Sequence, residues 1–213
     1  MKHTLVASIA VLASALTGLA ATTTTVSFGG NNPSLEGWTI NASTGGEFNN
    51  GSAWAIFGVS EATRGLGAAL NLGETVSIDL ASLGVAPGDF VGVDFTQGST
   101  SAVGYNFQGG LANYNVFDNA GVTATSIPFT SGFQTISLTN EDGTNYTLDV
   151  DGQDFSVTLA SGATGIDGIR IFNETSGVGN DVLFNNFSIT TIPEPTTTLL
   201  GSLGFLLILR RRR

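Results

Sequence analysis

From Thr22 to Ile192 the chain is built of short runs in which apolar and polar residues alternate one by one, interrupted by Gly, Asn and Asp. No other feature constrains its fold as strongly. Val76, Ile78 and Leu80 alternate with Thr75, Ser77 and Asp79, and Val91, Val93 and Phe95 with Gly92, Asp94 and Thr96. Tyr146, Leu148 and Val150 alternate with Thr147 and Asp149; Phe155, Val157 and Leu159 follow the same rule, and Ile169 and Ile171 flank Arg170. Leu183, Phe187 and Ile189 are expected to share one face of a last strand. Because successive side chains of a strand point to opposite faces, this period of two means strands with one buried face. Between the runs, Asn49-Asn50-Gly51, Asp142-Gly143 and Asp151-Gly152 supply the positive φ that tight hairpins need. Nothing longer than a turn or two follows a helical period. The expectation is an all-β, two-sheet antiparallel β-sandwich (a jelly roll) of about twelve strands, forming one domain over residues 21–192.

The polar positions of these runs are Thr, Ser and Asn rather than charges: charged residues make up only 11% of the chain, against roughly 25% in an ordinary domain. What is missing limits the chemistry. With no Cys, the chain has no disulfide, thiolate zinc site or cysteine nucleophile. The single His is His3, so a chain cleaved near its start would lack imidazole altogether, and with it the usual base of a nucleophilic triad. Between the two ends only Arg64 and Arg170 stand against 16 of the 17 acids, all but Glu194. A body this acidic repels a phosphate backbone, which excludes nucleic acid as a partner. Glu36, Glu47, Glu61, Glu74 and Glu141 could supply a glycosidase pair. No Glu-x-Asp-x-x-Glu strand occurs, however, and solvated surface explains these acids more simply. The chain is therefore read as non-enzymatic, with no catalytic residues and no cofactor.

Both ends carry addressing features. Lys2 precedes an apolar run from Leu5 to Leu16, too short for a membrane span, and Gly18-Leu19-Ala20 places small residues for cleavage after Ala20. Residues 1–20 are thus read as a signal peptide, helical in its apolar part. At the other end Pro193-Glu194-Pro195 breaks any arriving strand. Thr196 to Leu209 would span about 21 Å as a helix, a short transmembrane segment. Arg210, Arg211, Arg212 and Arg213 should hold its end in the cytoplasm. This order of Pro-Glu-Pro, apolar stretch and Arg cluster over residues 193–213 resembles the PEP-CTERM sorting signal of Gram-negative bacteria. The resemblance implies recognition by exosortase, a membrane-embedded transpeptidase, and a setting of extracellular polysaccharide and biofilm. It implies a chain exported across the inner membrane, transiently anchored, then left at the cell surface or outside.

Gly165 to Asn173 and Gly179 to Ile189 resemble the last two strands of concanavalin A-like and carbohydrate-binding-module jelly rolls. In such jelly rolls a structural calcium often joins the first and last strands. That implies Glu36 with Asp181 or Asn186 as ligands, although Asn185-Asn186 stands where acids are common. Calcium is the one metal whose oxygen ligands the composition can supply. Sugar binding needs exposed rings beside polar groups; Tyr105 and Tyr114 are the candidates, since Tyr105-Asn106-Phe107-Gln108 and Asn113-Tyr114-Asn115 set rings among amides. Trp38 and Trp54 are expected to fill the core. Three functions remain open at this point: a surface or matrix protein delivered by exosortase and associated with exopolysaccharide, a stand-alone carbohydrate-binding jelly roll, and a glycan-cleaving enzyme of the same fold. The first is preferred.

Overall fold

The computed structural model describes residues 21–175 and 179–192. The signal peptide over residues 1–20 lies outside the described residues, as do Pro193, Glu194, Pro195 and Arg210, Arg211, Arg212 and Arg213 of the sorting signal. Among the described residues no helix is long and apolar enough to cross a membrane. They fall into two units, one of which, Thr24–Ile189, holds the sandwich. In the described part of the other, the Thr23 and Thr190 hydroxyls lie 2.9 Å apart and Thr191 Oγ1 donates to the Thr22 carbonyl.

The alternating runs do become strands in two antiparallel sheets. The first sheet contains β1 (Thr22–Val26), β3 (Gly46–Asn49), β4 (Trp54–Phe57) and β6 (Thr75–Ser82). It also contains β11 (Gln134–Asn140), β12 (Asn145–Val150), β13 (Gln153–Thr158) and β15 (Val182–Thr191). Its order is β13-β12-β11-β6-β15-β4-β3, with β1 also paired to β15. The second sheet contains β2 (Thr39–Ala42), β5 (Ser60–Gly65), β7 (Phe90–Gln97) and β8 (Thr100–Gln108). β9 (Asn113–Asp118), β10 (Gly121–Pro128) and β14 (Gly168–Asn173) complete it in the order β10-β9-β8-β7-β14-β5-β2. That makes fifteen strands among the described residues rather than about twelve, because the weakly patterned Thr- and Gly-rich segments at β1, β2, β3 and β10 also pair.

The inner faces meet in one core. Trp38, Trp54, Ile78, Phe95, Tyr105, Leu148, Ile171 and Phe184 are all buried in it. Trp38 packs against Trp54 and Phe184 with ring centroids 5.9 and 4.9 Å apart. Burying an aromatic or aliphatic side chain of this size contributes roughly 1.5–3 kcal/mol each, so this cluster dominates the fold's stability.

One expected face is corrected. Leu183 does not share a face with Phe187: it packs with Ala53, Ala55 and Ala81 on the opposite side. Phe184 and Phe187 both enter the main core although three positions separate them. The switch lies at Asn186, whose φ of 50° inserts an extra residue of bulge type and turns the strand over.

Candidate functional site

On the second sheet, register decides which residues share the outer face. Directly opposed residues of antiparallel strands point the same way. One rung across the sheet therefore runs Thr39, Thr63, Arg170, Asp94, Gly104, Phe117. The next runs Asn41, Glu61, Phe172, Gly92, Asn106, Asn115. The inward positions between them, such as Ile169, Ile171, Val93 and Tyr105, belong to the core. An extra residue in β8, Ala102, shifts the register opposite Phe95 and Thr96 and brings Ser101 opposite Thr96, on the same outer face.

The centre of this face is an ion network. Asp94, only 1% exposed, accepts on Oδ2 from Arg170 Nε at 2.9 Å, from Arg170 Nη2, and from Ser101 Oγ at 2.6 Å. Arg170 Nη1 donates to Glu61 Oε2 at 3.1 Å. Its guanidinium also lies over the Phe172 ring, 4.9 Å from the centroid, which is why Phe172 is only 6% exposed on an outer face. Burial pushes the Asp94 carboxyl up, against the pull of Arg170 and the Ser101 hydrogen bond. For Arg170 burial acts downward, but the Asp94 and Glu61 carboxylates prevail and hold its guanidinium pKa up. The second oxygen of Asp94, Oδ1, is buried with no hydrogen-bond partner among the described residues.

Three adjoining depressions share Arg170. One of about 170 Å³ lies against Asn41, Ser60 and Glu174. A second, of about 570 Å³, runs past Thr63, Gly98, Asp167 and Arg64. The third, about 230 Å³, is walled by Phe90, Phe117 and Phe172, with Asn106, Asp94 and Glu174 at its margins. This aromatic hollow has one open amide, Asn106, while Asn115 beyond it is only 7% exposed. The side-chain amides of Asn106 and Asn115, opposite one another on β8 and β9, make no hydrogen bond among the described residues. Apolar rings beside unsatisfied amides are the surface a pyranose uses, its C–H face on a ring and its hydroxyls on the amides.

The residues expected from sequence fall differently. Tyr105 and Tyr114 are 0% and 3% exposed and cannot act as exposed glycan platforms, which corrects that expectation. Their rings stack in the core with centroids 4.6 Å apart and planes within 9°. Their hydroxyls donate to Gln134 Oε1 and to the Thr130 carbonyl, both at 3.3 Å. Burial pushes both phenols up, that of Tyr114 to about 12. The physical reason is the period of two: in these strands the rings take the inward positions, and Asn106 and Asn115 the outward ones.

The candidate calcium residues hold other contacts. Glu36 accepts from the Gly29 and Asn31 backbone N–H groups and from Trp54 Nε1, each at 2.8 Å. Burial acts against ionisation there, but these hydrogen bonds outweigh it and draw the Glu36 carboxyl below its usual range. Asn186 accepts from Ser27 Oγ at 3.0 Å and donates to Asp79 Oδ2 at 2.7 Å. Asn185 accepts from the Phe28 backbone N–H at 2.8 Å. Amides thus connect the first and last strand segments. Asp181 is half-buried, which pushes its carboxyl up. Among the described residues no three His, Cys, Asp or Glu side chains gather into a metal-binding group. Of the five glutamates considered for acid–base work, Glu61 alone lines these depressions.

No family model and no curated protein matches this chain. Solved structures do. A sialidase superposes with a TM-score of 0.58 at 12% identity, over 75% of this chain and 17% of its own length. A Trypanosoma rangeli sialidase mutant displaying trans-sialidase activity gives 0.54 at 15% identity, over 84% of this chain and 32% of that one. An uncharacterized protein from Mycobacterium paratuberculosis gives 0.53 at 12% identity, covering 71% and 89%. The likeness is one of fold. This chain spans only a sixth to a third of the two sialidases, and at these identities no activity carries over.

Proposed function

We propose that this is an exported, non-enzymatic surface or matrix protein whose β-sandwich binds glycan through the outer face of its seven-stranded sheet. The observation that carries the reading is the hollow walled by Phe90 and Phe117, with Phe172 beneath the Arg170 guanidinium at its base and the amide of Asn106, unpartnered among the described residues, at its margin. Rings supply the apolar contact and amides the directional hydrogen bonds. Arg170 and Asp94 give the hollow a rigid floor, because each holds the other in place.

A role without catalysis fits the state of the two carboxylates here. A glycosidase needs two carboxyl groups able to reach opposite sides of the scissile bond. Asp94 and Glu61 are instead both tied to the same guanidinium, and Asp94 is buried. Delivery by an exosortase-type system, release or attachment at the cell surface, and association with exopolysaccharide rest on the resemblance of residues 193–213. A structural calcium has no role in this reading.

The test is a glycan array probed with the full chain and with Asn106→Ala. Asn106 is half-buried and makes no side-chain hydrogen bond among the described residues, so its removal should leave the fold intact. Binding by the wild type that weakens about tenfold or more in the variant is the expected result, since one lost hydrogen bond to ligand is worth roughly that factor. A wild type that binds no glycan, or a variant that binds equally well, contradicts the reading. Cleavage of an arrayed glycan would contradict the non-enzymatic part.

A further inference from the structure

We infer that the groove takes an uncharged glycan, laid across the strands from β2 towards β9, and discriminates against anionic polysaccharides. This rests on the glycan-binding reading above and adds the ligand class. The argument begins with the cations. Between residues 21 and 192 the side-chain cations are Arg170, outward on the sheet, and Arg64, which pairs with Ile169 at an inward position and reaches only the depression past Thr63. Neither is free. Arg170 is bound on Nε and Nη2 by Asp94 and on Nη1 by Glu61. Arg64 donates from Nη1 to the Glu36 carbonyl at 2.9 Å, and its guanidinium lies 5.7 and 5.0 Å from the Trp38 and Phe187 ring centroids.

Against these two cations, Glu61, Asp94, Asp167 and Glu174 also line the depressions. A uronate or sulfate entering here meets four carboxylates, and the outward cation, Arg170, is already paired with two of them. In a partly desolvated groove the repulsion is stronger than in bulk water. Specificity of this kind comes from rejecting the wrong ligand as much as from holding the right one. A neutral sugar meets no such penalty and finds hydroxyl partners in Asn106 and in the side-chain carbonyl oxygen of Asn41, whose Nδ2 already donates to Glu61. Six strands spaced about 4.8 Å apart make a face about 24 Å wide, long enough for several rings in a row.

Affinity electrophoresis of the full chain through gels containing dextran or galactomannan, and through gels containing alginate or hyaluronate, tests this. The readout is the retardation that Asn106→Ala abolishes, which subtracts any contact made by Arg210 to Arg213. The expected result is groove-dependent retardation at least about tenfold stronger in a neutral polymer than in either anionic one. Glu61→Gln, which frees part of the Arg170 charge, should narrow that gap. Equal or stronger groove-dependent retardation in alginate or hyaluronate overturns the inference while leaving glycan binding intact. Retardation that Asn106→Ala leaves unchanged in every polymer overturns both.

Discussion

Gly104 shows how far the site depends on single atoms. A Cβ there would fall 2.0 Å from Phe117 Cε1 and 2.7 Å from Asp94 Oδ1, so only the missing side chain lets the Phe117 ring settle over the Asp94 carboxylate. Gly104→Ala must push the ring aside. The expected cost is about 1–3 kcal/mol, the usual range for overpacking, read as a lower urea midpoint with an unchanged slope. Unaltered stability together with unaltered glycan binding would mean that the ring does not sit there. Asp94 yields a second prediction at this scale. Its folded pKa is raised by burial, so its contribution to stability is fully present below the unfolded value near 3.9 and is lost as pH rises through the folded value. The margin of wild type over Asp94→Asn, followed by thermal melts, should be widest near pH 4 and shrink towards neutrality. A margin that widens instead would mean that Arg170 outweighs burial and holds the carboxyl low. The same residues show what could be read in advance. Arg170 between Ile169 and Ile171 already marked an outward cation on a buried strand, and the amides of Asn106 and Asn115 were visible as sugar-friendly company. The rings beside them, Tyr105 and Tyr114, take the inward side, which their place in the alternation dictates and their chemistry does not reveal. Phe90, Phe117 and Phe172 carry no mark of their own in the sequence; the register gathers them on one outer face.

Among the elements, β7 explains why alternation gave a partial picture. Val91, Val93 and Phe95 point into the core as expected, but Gly92, Asp94 and Thr96 are buried as well. The outer face at this central strand is covered by Arg170 from the adjacent β14 and by Phe117 from β9, two strands away, and cover of that kind leaves no trace in the pattern of β7 itself. The hairpin between β12 and β13 was fully legible. Asp151 and Gly152 take φ of 51° and 83°, the two positive values of a type I′ turn, and Val150 pairs directly with Gln153. Gly152→Ala places a Cβ in a conformation that costs an L-residue about 1–2 kcal/mol. Equilibrium denaturation should show a loss of that size with glycan affinity unchanged, because this hairpin belongs to the other sheet. A loss of glycan binding in the folded variant would place the binding surface on the wrong sheet. The bulge at Asn186 and the extra residue at Ala102 were not legible, since each depends on which strand lies alongside.

For the whole molecule, the sandwich follows from patterning, whereas the proposed address rests on the sequence of residues 1–20 and 193–213. If residues 193–213 are a sorting signal, mass spectrometry of protein recovered outside the cell should find Ala21 at the N-terminus and a C-terminus trimmed near Pro193. Glu194→Ala should then block trimming without changing topology, because the apolar stretch and the Arg cluster are untouched. Protein outside the cell that still ends in Arg213 would contradict the sorting role. The fold itself admits many functions, so the binding surface has to be located on the molecule and cannot be taken from structural likeness. Amide resonances of the isotopically labelled full chain, followed as the strongest-binding array glycan is added, locate it directly. The expected shifts gather at Phe90, Asn106, Asn115, Phe117 and Phe172, on the outer face of the seven-stranded sheet. Shifts confined to the eight-stranded sheet, or none at saturating glycan, would contradict the claim that this groove is where the protein meets its ligand.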